Sequence, residues 1–211
     1  MPTRKKASPE ESLGLERIVF FSDAVMAIAI TLLAIDLKIP DIPASSAVTE
    51  LPKQLSAIKP NLITFLISFI VIGIYWMSHH RYFGYIQRYD TRLMILNLLF
   101  LFFIACMPFV ASLQGHYSYV PIALVLYTLD AAALGLMMAL IWWYASTNHR
   151  LIATDLEAST IRTINIRLSI APIIFLIAVP FAYISTTAVI LIWWLAPLVV
   201  IAATRIFRKQ S

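Results

Sequence analysis

A few polar or charged side chains lie in or at the ends of otherwise apolar stretches of the chain, and their types and positions point to possible chemistry. A charged group in membrane hydrocarbon is costly, so such residues usually face a bundle interior or an ion pathway. They include Asp23, Thr31, His79, His80, Asn97, Asp130 and Arg167. Which chemistry they perform depends on how the apolar stretches bring them together.

Asp23 comes about one turn after an apolar stretch begins, and His79 and His80 close the next stretch. If the two stretches cross a membrane in opposite directions, these groups share one depth. An Asp23–histidine hydrogen bond or ion pair is then expected. Asp130 has no obvious partner, so Asn97 or a hydroxyl would have to supply one, or the carboxyl would be protonated. A relay through Asp23, Asp130 and His79 would indicate a proton-coupled cation transporter.

The sequence contains few of the residues that metal-binding, cofactor-binding or catalytic sites require. The single cysteine, Cys106, excludes an intrachain disulfide and a cysteine-based metal site. Adjacent histidines differ by 100° on a helix, so His79 and His80 are a poor metal pair. With five glycines there is no phosphate-binding loop or dinucleotide fingerprint. Ser22 beside Asp23, with His79, is the sole nucleophile–base candidate, and we expect no enzyme activity and no cofactor.

The composition identifies the elements that must position these groups. Of 211 residues, 61% are hydrophobic and 13% are charged, and the mean hydropathy is +0.84. A soluble domain of this size cannot bury so much apolar surface, and disorder requires low hydrophobicity. The basic residues that give a pI of about 9.4 are spread over the ends and connections, so no nucleic-acid partner is expected. The sequence predicts an all-α integral membrane protein in a lipid bilayer.

Six apolar stretches are long enough to approach the roughly 20 residues that cross a bilayer. Residues 168–204 are too many for one crossing, and Pro180 with the polar Ser185, Thr186 and Thr187 marks a break. We therefore expect one membrane domain over residues 17–206, with short tails at 1–16 and 207–211. The predicted spans are Ile18–Leu37, Leu62–Met77, Leu93–Leu113, Val120–Tyr144, Leu168–Ile184 and Thr187–Thr204.

Lysine and arginine counts predict the orientation of the spans. Six crossings place thirteen basic residues on one side and only Lys38, Lys53 and Lys59 on the other. Positively charged connections stay in the cytoplasm, so both termini are expected there, in a plasma membrane protein. An odd number of spans would scramble this distribution.

The first span presents two distinct surfaces when it is drawn as a helix at 100° per residue. Ile28, Leu32 and Ile35 fall within about 60° of one another and form one aliphatic stripe, with Thr31 beside it. Asp23 falls on roughly the opposite face. Spacing alone favours a lipid-facing or packed surface for the stripe, and an internal hydrogen-bonded staple for Asp23.

The residues around this helix resemble those of a known family. Positions 17–23 read R-x-x-x-F-S-D, followed by AVMAIAITLL, and residues 76–81 read WMSHHR, with Asn97 in the third span. This pattern is similar to the opening of the transmembrane protein 175 family, whose animal member is the lysosomal potassium channel. The six-span layout and length also resemble its prokaryotic members, which carry one six-helix unit per chain.

The resemblance implies a homotetrameric cation channel that is selective for potassium over sodium. Because a purely aliphatic constriction cannot coordinate an ion, we expect that selectivity to be modest. The channel's central pore would be lined by the first helix of each subunit, with potassium as the permeant ion and no carbonyl filter of the TVGYG type. Carried over residue by residue, the constrictions fall on Ile28, Leu32 and Ile35, and Thr31 would coordinate the ion. Arg17, Phe21, Ser22 and Asp23 would support the pore helix against Trp76, His79 and Asn97. Isoleucine stands at 28 and 35 where leucine is frequent in prokaryotic members.

Overall fold

The computed structural model describes residues 9–38, 41–189, 191–193 and 199, and the described elements are helical. Short 3-10 segments extend three of the helices, over Leu33–Asp36, Thr147–His149 and Val179–Tyr183. The α-helices are α1 (Pro9–Leu32), α2 (Ala47–Ala57), α3 (Lys59–Phe83), α4 (Thr91–His116), α5 (Pro121–Ser146) and α6 (Ala158–Ala178).

Five of these helices are long and apolar enough to cross a membrane: α1, α3, α4, α5 and α6. They coincide with the first five predicted spans, so the all-α membrane fold is confirmed to that extent. Two helices begin far earlier than their apolar stretches, α1 at Pro9 instead of Ile18 and α6 at Ala158 instead of Leu168. Hydropathy locates the part of a helix in hydrocarbon, whereas the backbone hydrogen bonds continue into polar turns beyond it.

A short helix, α2, occupies the connection between the first two predicted spans, where the sequence analysis placed no element. None of its residues is buried, and Lys53 pairs with Glu50 at 2.8 Å one turn earlier. With 11 residues it is too short to give a membrane-length apolar pattern. It is followed directly by α3.

The predicted break between the fifth and sixth spans falls where the helix is interrupted. The α6 helix ends at Ala178 and tightens into a 3-10 turn that contains Pro180. Residues 186–189 are helical again, with the Ser185 hydroxyl accepting a hydrogen bond from the backbone of Ala188. The sixth predicted span, Thr187–Thr204, lies for the most part outside the described residues.

Helices α1, α3 and α4 pack against one another, α4 also contacts α5, and α5 contacts α6. Gly135 allows a close approach of α5 and α6, because a Cβ there would lie 2.9 Å from Cδ of Pro172. Pro108 and Pro172 remain inside continuous helices, so neither breaks its span. The core between the helices holds large side chains such as Trp142 and Phe100.

Two connections on the arginine-rich side are joined by backbone hydrogen bonds. Ile86 and Ile152 form an antiparallel bridge, and Gln87 donates to the carbonyl of Leu151 at 2.8 Å. The Asp90 side chain then caps α4 by accepting from the backbone N–H of Leu93. The beginning of α4 is thereby held beside the end of α5.

Candidate ion pathway and its supporting cluster

One face of α1 is aliphatic and is left uncovered by the rest of the protomer. Ile28 is 58% exposed, Leu32 43% and Ile35 56%. Ile28 and Leu32 belong to the α-helix, and Ile35 belongs to the 3-10 turn that continues it. The predicted stripe is thus a surface available to lipid or to another chain, and it is not part of the protomer core.

Thr31 lies on the same exposed side of α1, and its hydroxyl donates to the carbonyl of Ile28 at 2.8 Å. A threonine hydroxyl carries one donor hydrogen and two acceptor lone pairs. Since the hydrogen is engaged by the backbone, the oxygen presents its lone pairs outward. Such an oxygen can accept a hydrogen bond from water or coordinate a cation.

The opposite face of α1 is buried against the bundle. Ser22, Met26, Ala29 and Leu33 are each less than 5% exposed, and they follow one another at helical spacing. Burying these four side chains against α3 and α4 fixes which side of α1 points away. The exposed aliphatic face is therefore set by the packing of the other face.

A buried polar cluster joins the three helices at this face. Asn97 of α4 donates through Nδ2 to the Ser22 hydroxyl at 2.9 Å, and its Oδ1 lies 3.0 Å from Nε2 of His79 on α3. Because the amide oxygen can only accept, this contact assigns the hydrogen to His79 Nε2. The Ser22 hydroxyl donates in turn to the carbonyl of Ile18 at 2.8 Å.

Aromatic rings enclose the histidine of this cluster. His79 stacks on Phe83 at 4.0 Å between ring centroids and on Phe100 at 5.7 Å. Its Nδ1 has no hydrogen-bond partner among the described residues. The imidazole is thus held by one hydrogen bond and by ring contacts, as expected for a structural side chain.

Asp23 pairs with Trp76, one of the supporting residues that the family resemblance implied, and not with a histidine as its depth had suggested. Its Oδ1 accepts from the indole Nε1 of Trp76 at 2.9 Å, and the expected Asp23–histidine pair is not formed. The reason is that His79 uses its Nε2 on Asn97, whereas Trp76, almost one turn earlier on α3, reaches Asp23 with its indole N–H. His80 stacks on the Trp76 ring instead.

Asp130 lies apart from this cluster, near the middle of α5. It is 7% exposed, and its Oδ2 has no hydrogen-bond partner among the described residues. The suggested pairing with Asn97 is not formed, because that amide is engaged by Ser22 and His79. No hydrogen bond or ion pair connects Asp130 to Asp23 or His79 within the described part of the chain, so a relay through the three is not assembled there.

Two residues of the R-x-x-x-F-S-D motif point away from the cluster. Phe21 is 54% exposed, two turns before Ile28 on the same side of α1, and Arg17 is also exposed. The structure therefore brings Ser22 and Asp23 to their partners, but it does not bring Arg17 and Phe21 there. Support of the pore helix by the latter two remains a prediction that would require contacts beyond this protomer.

The sequence analysis missed a second buried polar contact. Ser68 of α3 and Tyr127 of α5 share a hydrogen bond of 3.0 Å, and both are fully buried. Their positions inside the second and fourth apolar stretches were the available signal. No group of three His, Cys, Asp or Glu side chains suited to a metal ion occurs among the described residues.

Residues 17–108, which contain this face and its cluster, match the family model described as the endosomal/lysosomal potassium channel TMEM175. A potassium channel of Streptomyces collinus is 33% identical over 80% of this chain and 82% of its own length. A chicken (Gallus gallus) protein named endosomal/lysosomal proton channel TMEM175 is 38% identical over 51% of this chain and 23% of that protein.

The fold is also similar to that of a solved TMEM175 homolog. The crystal structure of a lysosomal potassium-selective channel TMEM175 homolog from Chamaesiphon minutus superposes with a TM-score of 0.71 at 26% identity. That superposition covers 93% of this chain and 97% of the other. The match to the family model, the 33% identity to the Streptomyces protein and the shared helical arrangement agree. The chain therefore belongs to the TMEM175 family.

Proposed function

We propose that this chain forms a potassium-selective cation channel, a homotetramer whose central pore is lined by the exposed face of α1. The observation that carries the proposal is the aliphatic face at Ile28, Leu32 and Ile35, which the protomer leaves uncovered. The names of the Streptomyces and Chamaesiphon relatives support potassium as the permeant ion. No catalytic step and no cofactor belong to this proposal.

The gate follows from the chemistry of the three side chains. Four copies of one aliphatic residue around an axis form a ring that water leaves readily, so a narrow ring is dry and does not conduct. Opening requires the ring to widen until water re-enters. Because hydrocarbon cannot coordinate a cation, passage through the ring depends on ion size and on the cost of dehydration.

Selectivity then needs a polar group close to the rings, and Thr31 is the group on that face. Its hydroxyl hydrogen is engaged by the Ile28 carbonyl, so four such oxygens would turn lone pairs toward a partly dehydrated ion. Potassium loses its hydration shell at a lower cost than sodium. A site of four hydroxyls without a carbonyl filter gives modest selectivity.

The buried cluster has a supporting role in this proposal. Ser22, Asn97 and His79 hold α1 by its inner face, and the Asp23–Trp76 hydrogen bond fixes the rotation of α1 against α3. Both contacts lie outside the aliphatic face. They act on conduction only by positioning that face toward the axis.

The orientation and location are part of the same proposal. The arginine-rich connections and both termini lie in the cytoplasm, and the chain resides in the plasma membrane. The cluster of Ser22, Asn97 and His79 is then near the cytoplasmic side, and Ile35 is toward the outer end of the pore. Ions entering from outside would meet Ile35 before Ile28.

The proposal is tested by recording from purified protein in planar bilayers under opposed potassium and sodium gradients. A potassium current that reverses near the potassium equilibrium potential and persists without a proton gradient is expected. The alternative transporter that uses Asp23, Asp130 and His79 predicts flux that stops when the proton gradient is collapsed. Native mass spectrometry should give four times the 23.8 kDa protomer mass.

Substitution of Ile28 by asparagine tests the gate directly. Ile28→Asn places an amide in the ring, keeps it wet and raises the resting potassium leak. Ile173→Asn is the matched control, because Ile173 is 53% exposed on α6, which packs against α5. Unchanged leak in an assembled Ile28→Asn channel, or an equal rise in the control, contradicts the proposed gate.

A further inference from the structure

A groove opens between the beginning of α4 and the end of α5, and its lining residues come from these two helices. Its volume is about 330 Å³, within the range of small-ligand clefts. The floor is apolar, and two polar residues stand at one end. The lining residues are Ile95, Leu96, Leu140 and Trp143, with Arg92 and Tyr144 at the polar end.

A polar pocket adjoins the groove and shares two residues with it. Arg92 and Tyr144 line both, and the pocket adds Asp90, Thr91 and Arg150. The groove and pocket together form one continuous surface, apolar along the helices and basic at their ends. This juxtaposition matches a molecule with a hydrocarbon portion and an anionic head.

The local charges favour an anion in the pocket. Asp90 spends one carboxylate oxygen on capping α4 and the other on the Tyr144 hydroxyl, which donates to it at 2.6 Å. Among the described residues the ion pair formed is that of Lys53 with Glu50, so neither Arg92 nor Arg150 has a carboxylate partner there. The pocket therefore holds two guanidinium groups against the one carboxylate of Asp90, with which neither is paired.

The pocket is also partly organised before any ligand arrives. The Arg150 guanidinium lies 4.5 Å from the centroid of the Tyr144 ring, in a cation–π contact. Arg88 donates to the Arg150 carbonyl at 3.0 Å, which ties this connection to the one that precedes α4. Arg150 is thereby held where its donors line the pocket together with Arg92.

We propose that this surface binds an anionic phospholipid, with its phosphate between Arg92 and Arg150 and one acyl chain in the apolar groove. Trp143 is 58% exposed at the end of α5, the position where tryptophan marks the headgroup level. Basic pockets between helices on the arginine-rich side bind such headgroups. The apolar groove favours a lipid over a soluble phosphate, because a soluble ligand would leave it empty.

The test is a lipid titration of the full-length protein in detergent, followed by native mass spectrometry. Phosphatidylglycerol is expected to bind more tightly than phosphatidylcholine of the same chains. Each arginine near a membrane surface contributes about 1 kcal/mol toward an anionic lipid, so Arg92→Gln with Arg150→Gln should weaken binding about thirtyfold. Leu140→Trp, which fills the groove and keeps both arginines, should also reduce phosphatidylglycerol binding.

The control is Arg162→Gln, which removes an exposed arginine near the start of α6 and should leave binding unchanged. Circular dichroism and the oligomeric mass establish that each variant is folded. Glycerol 3-phosphate, which has the phosphate without chains, should not compete. Equal binding of the two lipids, full binding by the double variant, or competition by glycerol 3-phosphate overturns the proposed lipid site.

Discussion

Replacement of Asn97 by alanine is expected to destabilise the protein more than any other single polar substitution in the cluster. Asn97 is 2% exposed and supplies both hydrogen bonds that join α4 to α1 and α3. Without it, Ser22 keeps its bond to the Ile18 carbonyl. His79 loses its remaining partner, since its Nδ1 already has none.

The magnitude follows from these contacts. A side-chain hydrogen bond between membrane helices contributes about 0.6 kcal/mol on average and at most about 1.7 kcal/mol. A buried donor left unsatisfied costs about 1–3 kcal/mol more. Two lost bonds and one orphaned imidazole N–H therefore predict a decrease of about 2–4 kcal/mol in the free energy of unfolding.

The assay is reversible unfolding in mixed detergent micelles, followed by circular dichroism. Asn61→Ala is the matched control, because Asn61 contacts His116 at 3.3 Å in an exposed pair. That loss is expected to cost less than about 0.5 kcal/mol. If Asn97→Ala costs no more than Asn61→Ala, the cluster does not hold α1 in place and the reasoning is refuted.

Three further substitutions separate conduction from packing. Thr31→Val keeps the shape of the side chain but removes its hydroxyl oxygen. The potassium-to-sodium permeability ratio, measured from reversal potentials, should therefore fall toward one while the current persists. An unchanged ratio would show that Thr31 has no role in selectivity. Asp23→Ala leaves the Trp76 indole N–H without its acceptor, so the yield of tetramer in size-exclusion chromatography should fall. Full assembly with an altered reversal potential would instead indicate that Asp23 has a role in permeation. Gly135→Ala forces a Cβ to within 2.9 Å of Pro172 and should lower the free energy of unfolding by about 1–3 kcal/mol in the same assay. An unchanged free energy of unfolding would show that α5 and α6 separate easily.

The faces of α1 were predictable because helical periodicity needs only the sequence. Ile28, Leu32 and Ile35 fall on one side by spacing, and the fold leaves that side uncovered. Periodicity cannot say what covers an apolar face in a membrane, since lipid and a neighbouring subunit are equally apolar. The resemblance to the TMEM175 family supplied that part of the hypothesis.

The members of the polar cluster were predictable, but the hydrogen-bonded pairs within it were not. Asp23 and His79 were expected near one another from depth, and Asn97 joined them through the family resemblance, but the pairing depends on helix rotation and on the exact level of α1 against α3. A shift of almost one turn along α3 exchanges His79 for Trp76 as the partner of Asp23. Hydropathy windows do not resolve such a shift. The same limit explains why the polar beginnings of α1 and α6 and the short α2 helix were missed.

The central claim is that ions pass along the exposed face of α1, and cysteine accessibility tests it most directly. Because Cys106 is the one cysteine in the sequence, Cys106→Ser provides a thiol-free background. In that background Ile28→Cys is expected to lose its potassium current when silver ions are added, while Ile173→Cys keeps it. An unchanged current in the Ile28→Cys channel, although mass spectrometry shows that the introduced thiol has reacted, would contradict the account.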